Sequence, residues 1–229
     1  MEITKQQIPV LAARLVEFQE KFGQLSKEDG QYVIQRTAEA IDLFVEALKN
    51  RKLAIGFSIL RPISKDGGPV LKALDGKLHI YQARNIFNAY LDPDFEQESL
   101  VNSGIATPST PVDVNEIVED AKLKEFFIAL PGNWNQKWFS QNQVIEFCRE
   151  HYGWLGRNRK QNFFLIKKDE NKPIDEDNPD NDLFVVFVSF QNNDRELKVQ
   201  FSPLDLHVPL DSKYHHRVFS PRIKKVEMR

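Results

Sequence analysis

The feature that most constrains this chain is an apolar run, Leu183-Phe184-Val185-Val186-Phe187-Val188, set between two segments of the same character. Asn162-Phe163-Phe164-Leu165-Ile166 precedes it and Glu196-Leu197-Lys198-Val199-Gln200-Phe201 follows it. β-Branched and aromatic residues dominate all three, which predicts strands of one sheet. A turn at Asn192-Asn193-Asp194 joins the second and third as a hairpin, so residue i faces about residue 386 − i in the antiparallel ladder. Pro203 near the end of the third segment fits an edge or a bulge. Leu204-Asp205-Leu206-His207-Val208 alternates again.

The rest of the chain reads as attached to this block. Ile8, Leu11, Leu15, Phe18, Phe22 and Leu25 follow helical spacing and form one narrow apolar stripe. Ser26-Lys27-Glu28-Asp29 then resembles a capping box for a second helix reaching about Asn50. The short break predicts an αα-hairpin, which either packs on the sheet or serves as a dimerisation or docking arm. Strand character returns in Lys52–Arg61, and Asp75-Gly76 predicts a tight hairpin between Leu71–Leu74 and Lys77–Tyr81. Ala83–Leu91 is read as a short helix. Residues 92–120 hold eight acids and no base, and their middle, Ser99 to Val112, holds two prolines and is read as a linker or long exposed loop. Helices are expected over Val114–Leu130 and, capped by Ser140, over Gln141–Tyr152. The loop Asp169–Asp182, with seven acids and one lysine, is expected to project into solvent.

The expected fold is therefore α+β: an N-terminal αα-hairpin followed by a mainly antiparallel sheet with one or two packed helices. The expected domains are residues 1–91, a helical hairpin with a small β segment, and 114–229, an α+β domain, separated by an acidic linker over 92–113. A chain of 229 residues with 41% hydrophobic residues has enough material for such a core, and 17 Phe against 2 Met make that core aromatic and stiff. The net charge of −2 predicts no polyanionic partner from the global balance, although local imbalance matters more. One cysteine excludes an internal disulfide, no apolar run approaches the roughly 20 residues of a membrane helix, and the N-terminus lacks a signal-peptide pattern. These features predict a cytoplasmic protein without a membrane partner.

Several constellations suggest chemistry. Pro179-Asp180 with Glu196-Leu197-Lys198 matches the loose pattern of a metal-dependent nuclease, in which two carboxylates hold a cation and a lysine assists the attacking water. The hairpin register opposes this, because it places Asp180 opposite the region of His207 and about ten residues, roughly 30 Å, from Glu196. Asp180, Asp182, Asp205 and His207 gather at one end of the hairpin, although acids in such a loop are ordinarily solvated. Cys148 and His151 have helical-neighbour spacing, yet Cys148 lies on an apolar face and reads as a buried thiol. No catalytic residue, metal site or cofactor is assigned.

The clearer signal is cationic. Arg149, Trp154, Arg157, Arg159, Lys160 and Lys167 cluster around the junction of helix and strand, and the Lys213–Arg229 tail holds six bases and one acid. Helix, basic turn and hairpin is also the order of a winged helix, whose helix enters the major groove. The alternatives are an ordinary charged turn or a partner for the chain's own acidic segment.

The blocks Gln143–Leu155, Asn162–Lys167 and His216–Pro221, with Leu25–Gln35, resemble blocks recurring in uncharacterised bacterial proteins. That resemblance implies a helical N-terminal part and a β-rich C-terminal module, and brings no activity. The expected function is non-enzymatic binding through a protein–protein interface, either with a partner or as a homo-oligomer. Leu11, Leu15, Phe18 and Phe22 are its candidate surface. Nucleic-acid binding is the alternative, with a metal-dependent hydrolase or nuclease third.

Overall fold

A computed structural model of the chain describes residues 59–64, 67–96, 104–191, 196–207 and 209–223. The chain divides into two compact units, Met1–Phe57 and Ser58–Arg229, and all described residues belong to the second. Among them no helix is long and apolar enough to cross a membrane.

The second unit is built on an eight-stranded mixed sheet. Its strands are β1 (Leu60–Pro62), β2 (Val70–Leu71), β3 (Tyr90–Leu91), β4 (Thr110–Ile117), β6 (Gln161–Lys167), β7 (Leu183–Gln191), β8 (Glu196–Pro203) and β10 (Arg217–Pro221). They run in the order β1-β4-β10-β6-β7-β8-β3, with β2 also paired to β4. Two further strands, β5 (Ala121–Lys122) and β9 (Pro209–Leu210), make a small separate pair. The two described α-helices are α1 (Leu123–Ala129) and α2 (Gln141–Glu150).

The apolar runs have a physical explanation in this arrangement. Phe164 and Ile166 of β6 with Phe184, Val186 and Val188 of β7 join one core cluster, which also takes in Val144, Phe147 and Cys148 of α2. Phe163, Leu165, Leu183 and Val185 point the other way, into a second cluster with Leu123, Phe126 and Phe127 of α1. The central strands are covered on both faces, so they need no polar alternation. Helix α2 is fixed to its face by rings: Phe164 and Phe219 stack at 4.4 Å, and Phe147 meets them edge-on at 5.5 and 4.9 Å. Such pairs add about 0.5–1.5 kcal/mol each beyond their buried area.

The start of α2 is capped twice. Ser140 accepts from the Gln143 amide, as its sequence position predicts, and Gln143 reciprocates to the Ser140 amide. The second cap comes from the acidic loop. Buried Glu170 accepts from the amides of Gln141, at 3.2 Å, and of Ile105, at 2.9 Å. Glu176 accepts from the amides of Trp134 and Asn135 in the short turn before α2. Residues 171–173, 175–178 and 181 of this loop are exposed, as expected, whereas Glu170 is buried and serves as acceptor for amides that would otherwise be orphaned.

The expected plan of an N-terminal αα-hairpin followed by a mainly antiparallel sheet is corrected. The described part is mostly sheet, with only two α-helices, and both lie between β5 and β6 rather than ahead of the sheet. The sheet is mixed, because β10 pairs parallel with β6 and β3 parallel with β8. Residues 8–50 lie outside the described residues, so no helical hairpin is supported. The expected helix over Val114–Leu130 is strand β4 followed by β5 and the short α1. Val112 and Val114 alternate into the core there, and that β-branched pattern outweighs the acidic composition. The Asp75-Gly76 hairpin does not form: Leu74 bridges Thr107 instead. Gly76, at φ +75°, permits this approach, since a Cβ there would meet the Ile105 carbonyl oxygen at 2.2 Å. Residues 104–117 are consequently built into this unit, beside β2.

Candidate functional site

The most chemically distinctive place on the sheet is a polar row crossing one end of it. Arg61 of β1 pairs in register with Glu116 of β4, Glu116 with Arg217 of β10, and Arg217 with Asn162 of β6. Directly paired residues share a face, so the four side chains form one rung across four strands. They lie on the face that α2 covers further along, beyond the Phe164–Phe219 stack.

The segment leaving α2 closes over this rung. After the 3-10 turn Tyr152–Trp154, the Trp154 carbonyl accepts from the Arg217 guanidinium. Buried Asn162 then ties the chain down at Gly156: its Oδ1 accepts from the Gly156 amide at 2.6 Å, and its Nδ2 donates to the carbonyls of Gly156 and Val188. A Cβ on Gly156 would meet Lys160 Cβ at 2.9 Å, so the tight path there needs glycine. The chain next reverses through Asn158 and Arg159, both left-handed at φ 57° and 67°, with the Lys160 amide reaching the Arg157 carbonyl. Two successive left-handed residues make a type I′ turn, which suits Asn and costs a residue such as Arg about 1–2 kcal/mol.

Glu116 is the hub of the charge arrangement. It pairs with Arg61 and, at 3.3 Å, with Lys160; the His215 imidazole stands 4.0 Å away. Burial pushes its carboxyl up, but hydrogen bonds from Arg61 and Lys160 outweigh burial and hold it below the usual range. Burial lowers the Arg217 guanidinium, opposed by the nearby Glu116 charge. His216 lies just beneath. Its Nδ1 accepts from the Gln161 amide, which requires the neutral ring, and burial lowers its pKa accordingly.

Beside the rung is an aromatic platform. Tyr152 and Phe190 meet edge-to-face at 4.8 Å, and the Arg157 guanidinium lies over both, 5.2 Å from each ring centre. Arg157 and Arg159 are exposed, and among the described residues neither has an ion pair.

The cationic set read from sequence is partly gathered here and partly dispersed. Trp154, Arg157, Arg159 and Lys160 converge, and Arg61, Glu116, Arg217, Tyr152 and Phe190 join them without having been singled out in the sequence. Arg149 is engaged by Glu146 and Glu150 on its own helix. Lys167 is buried at the opposite end of β6, donating to the Glu170 carbonyl and lying 5.1 Å over the Trp138 ring. The winged-helix arrangement does not hold: Gln141 through Cys148 are all buried, so α2 offers no face to a groove. Leu11, Leu15, Phe18 and Phe22 lie outside the described residues.

The other constellations are inert in this geometry. Cys148 is buried, which raises its thiol far above the ordinary value, and His151 turns to the Val70 carbonyl. Asp180 and Glu196 sit at opposite ends of β7, since Glu196 pairs with Gln191 while Asp180 precedes Leu183. Asp180, Asp205 and His207 do line one cleft of about 340 Å³, but Lys124 occupies it and binds Asp180. Among the described residues, no group of three or more His, Cys, Asp or Glu side chains is placed to share a metal ion. The chain matches no known protein family, no curated protein and no solved structure.

Proposed function

We propose that this protein is a non-enzymatic, cytoplasmic binding module that holds the phosphates of a nucleic acid at the Glu116–Arg217 end of its sheet. The observation that carries this is the charge balance of the site. Arg61 and Lys160 pair with the single rung carboxylate, Glu116, Arg217 lies beside it in register, and Arg157 and Arg159 belong to the turn that ends at Lys160. A lone carboxylate orients several guanidinium and ammonium groups without neutralising them, leaving donors for phosphate oxygens. A protein–protein interface through Leu11, Leu15, Phe18 and Phe22 draws no support from the described residues.

The test is binding of labelled 20-nucleotide DNA and RNA by fluorescence anisotropy over a salt series. Log affinity should fall linearly with log salt, and replacing Arg157, Arg159 and Lys160 together by Ala should reduce the slope by about 2–3. Absence of binding to DNA and RNA at low salt would end the proposal.

A further inference from the structure

We infer that the site prefers single-stranded nucleic acid, because the Arg157–Tyr152–Phe190 platform adds a surface for an unstacked base beside the phosphate-binding cations. This rests on the nucleic-acid reading above and goes beyond it. Arg157 is placed by two independent constraints. Its carbonyl closes the type I′ turn through the Lys160 amide, and its guanidinium lies over Tyr152 and Phe190 at 5.2 Å from each. The rings belong to different elements, Tyr152 to the 3-10 turn after α2 and Phe190 to β7, and are locked edge-to-face at 4.8 Å. The platform is therefore preorganised rather than formed by one mobile side chain. Both rings are half-buried against the core, while Arg157 is exposed.

A guanidinium held over aromatic rings has its far side toward solvent, and a base can add to that stack. Arg159 and Lys160 belong to the same turn and supply the positive charge beside that stack. Duplex DNA or RNA keeps its bases stacked internally and can use only the charges. The one long element at this corner, α2, is buried over Gln141–Cys148 and has no face to insert into a groove. Single strands can use both charge and stacking, whereas duplexes can use charge alone.

The experiment compares a 20-nucleotide oligothymidylate, a 20-base-pair duplex and heparin on the full chain, using wild type and the variants Arg157→Lys and Phe190→Leu. Lysine keeps the charge and discards the planar group, and leucine keeps bulk and discards the ring. Wild type should bind the single strand about tenfold more tightly than the duplex at equal salt, and both variants should bring that ratio close to one. Unchanged thermal midpoints in the two variants separate loss of stacking from loss of fold, and either folded variant suffices for the comparison. Equal wild-type affinity for single strand and duplex, or a ratio that survives in a folded variant, overturns the single-strand preference and leaves phosphate binding standing. Heparin binding without binding to either nucleic acid overturns both.

Discussion

Replacing Glu170 tests how the acidic loop holds the two halves of this unit together. Its carboxylate accepts from the Ile105 amide, next to the Leu74–Thr107 bridge, and from the Gln141 amide, the first of α2. Glu170→Ala removes both acceptors at a site too buried for water to replace them readily. Each orphaned buried donor costs about 1–3 kcal/mol, so the variant should lose about 3–4 kcal/mol. For a unit of this size that corresponds to a fall of roughly 10 °C in thermal midpoint. Glu170→Gln keeps one acceptor oxygen and turns an NH2 donor toward the other amide, because Ile105 and Gln141 bind different carboxylate oxygens. Burial raises the Glu170 carboxyl above its ordinary 4.5, despite the opposing hydrogen bonds from Ile105 and Gln141. The sign follows from proton binding. Below pH 4.5 both folded and unfolded chains carry the neutral acid, so this group adds no pH dependence there. As pH rises through the window above 4.5, the unfolded chain releases this proton first, and wild type should lose stability relative to the Gln variant. Urea unfolding of the three proteins between pH 4 and pH 7 measures both effects. A loss below about 1 kcal/mol in Glu170→Ala would show that the capping bonds are dispensable. A gap between wild type and Glu170→Gln that does not narrow as pH rises above 4.5 would contradict the burial of this carboxyl.

Three further outcomes are expected. Arg159→Gly relieves a left-handed residue, so stability should stay level or rise by up to about 1 kcal/mol while the salt slope of nucleic-acid binding falls by about 1; a clear destabilisation would contradict the turn. His216 is held neutral by the Gln161 amide, with its pKa lowered by burial, so stability present above pH 6.5 should be lost as pH falls below it. His79, also lowered by burial, titrates in the same window, so His216→Gln should reduce this pH dependence rather than abolish it; an unchanged urea-midpoint profile between pH 8 and pH 5.5 would contradict the role of His216. Phe219→Ala removes the ring stacked on Phe164 and touched by Phe147, and should cost about 3–5 kcal/mol in chemical denaturation; a change under 1 kcal/mol would mean that neighbouring rings collapse into the gap.

The parts of the fold that were legible in sequence are those set by local pattern. Ser140 marks the start of α2, and the apolar segments mark β6, β7 and β8 to within a few residues. The hairpin register expected as 386 − i is 387 − i, because Gln191 faces Glu196. That single-residue difference leaves Asp180 and Glu196 as far apart as expected. What failed were inferences from composition. The acids and prolines of residues 92–113 suggested a linker, yet β4 begins at Thr110 and Val112 is a core residue. Seven acids in 169–182 suggested a solvated loop, and most of it is exposed, yet Glu170 is buried and caps the Ile105 and Gln141 amides. The Arg61–Glu116–Arg217 rung was only half visible for a different reason. Arg157, Arg159 and Lys160 are adjacent in sequence, whereas Arg61, Glu116 and Arg217 meet only through pairings of β1, β4 and β10 that no local pattern encodes.

The placement of β10 bears on how the molecule is made. Among the described residues, β1, β2 and β4 connect to β6, β7 and β8 only through this strand. During synthesis, the sheet therefore exists as two separate halves until Pro221 has emerged from the ribosome. Until then β4 and β6 each display an unpaired edge, and the edge of β6 carries Phe163-Phe164-Leu165-Ile166. Such an edge readily templates pairing with another chain. Vectorial folding of this protein thus ends with insertion of a central strand, and a nascent chain stalled before residue 217 would present its stickiest surface to the cell.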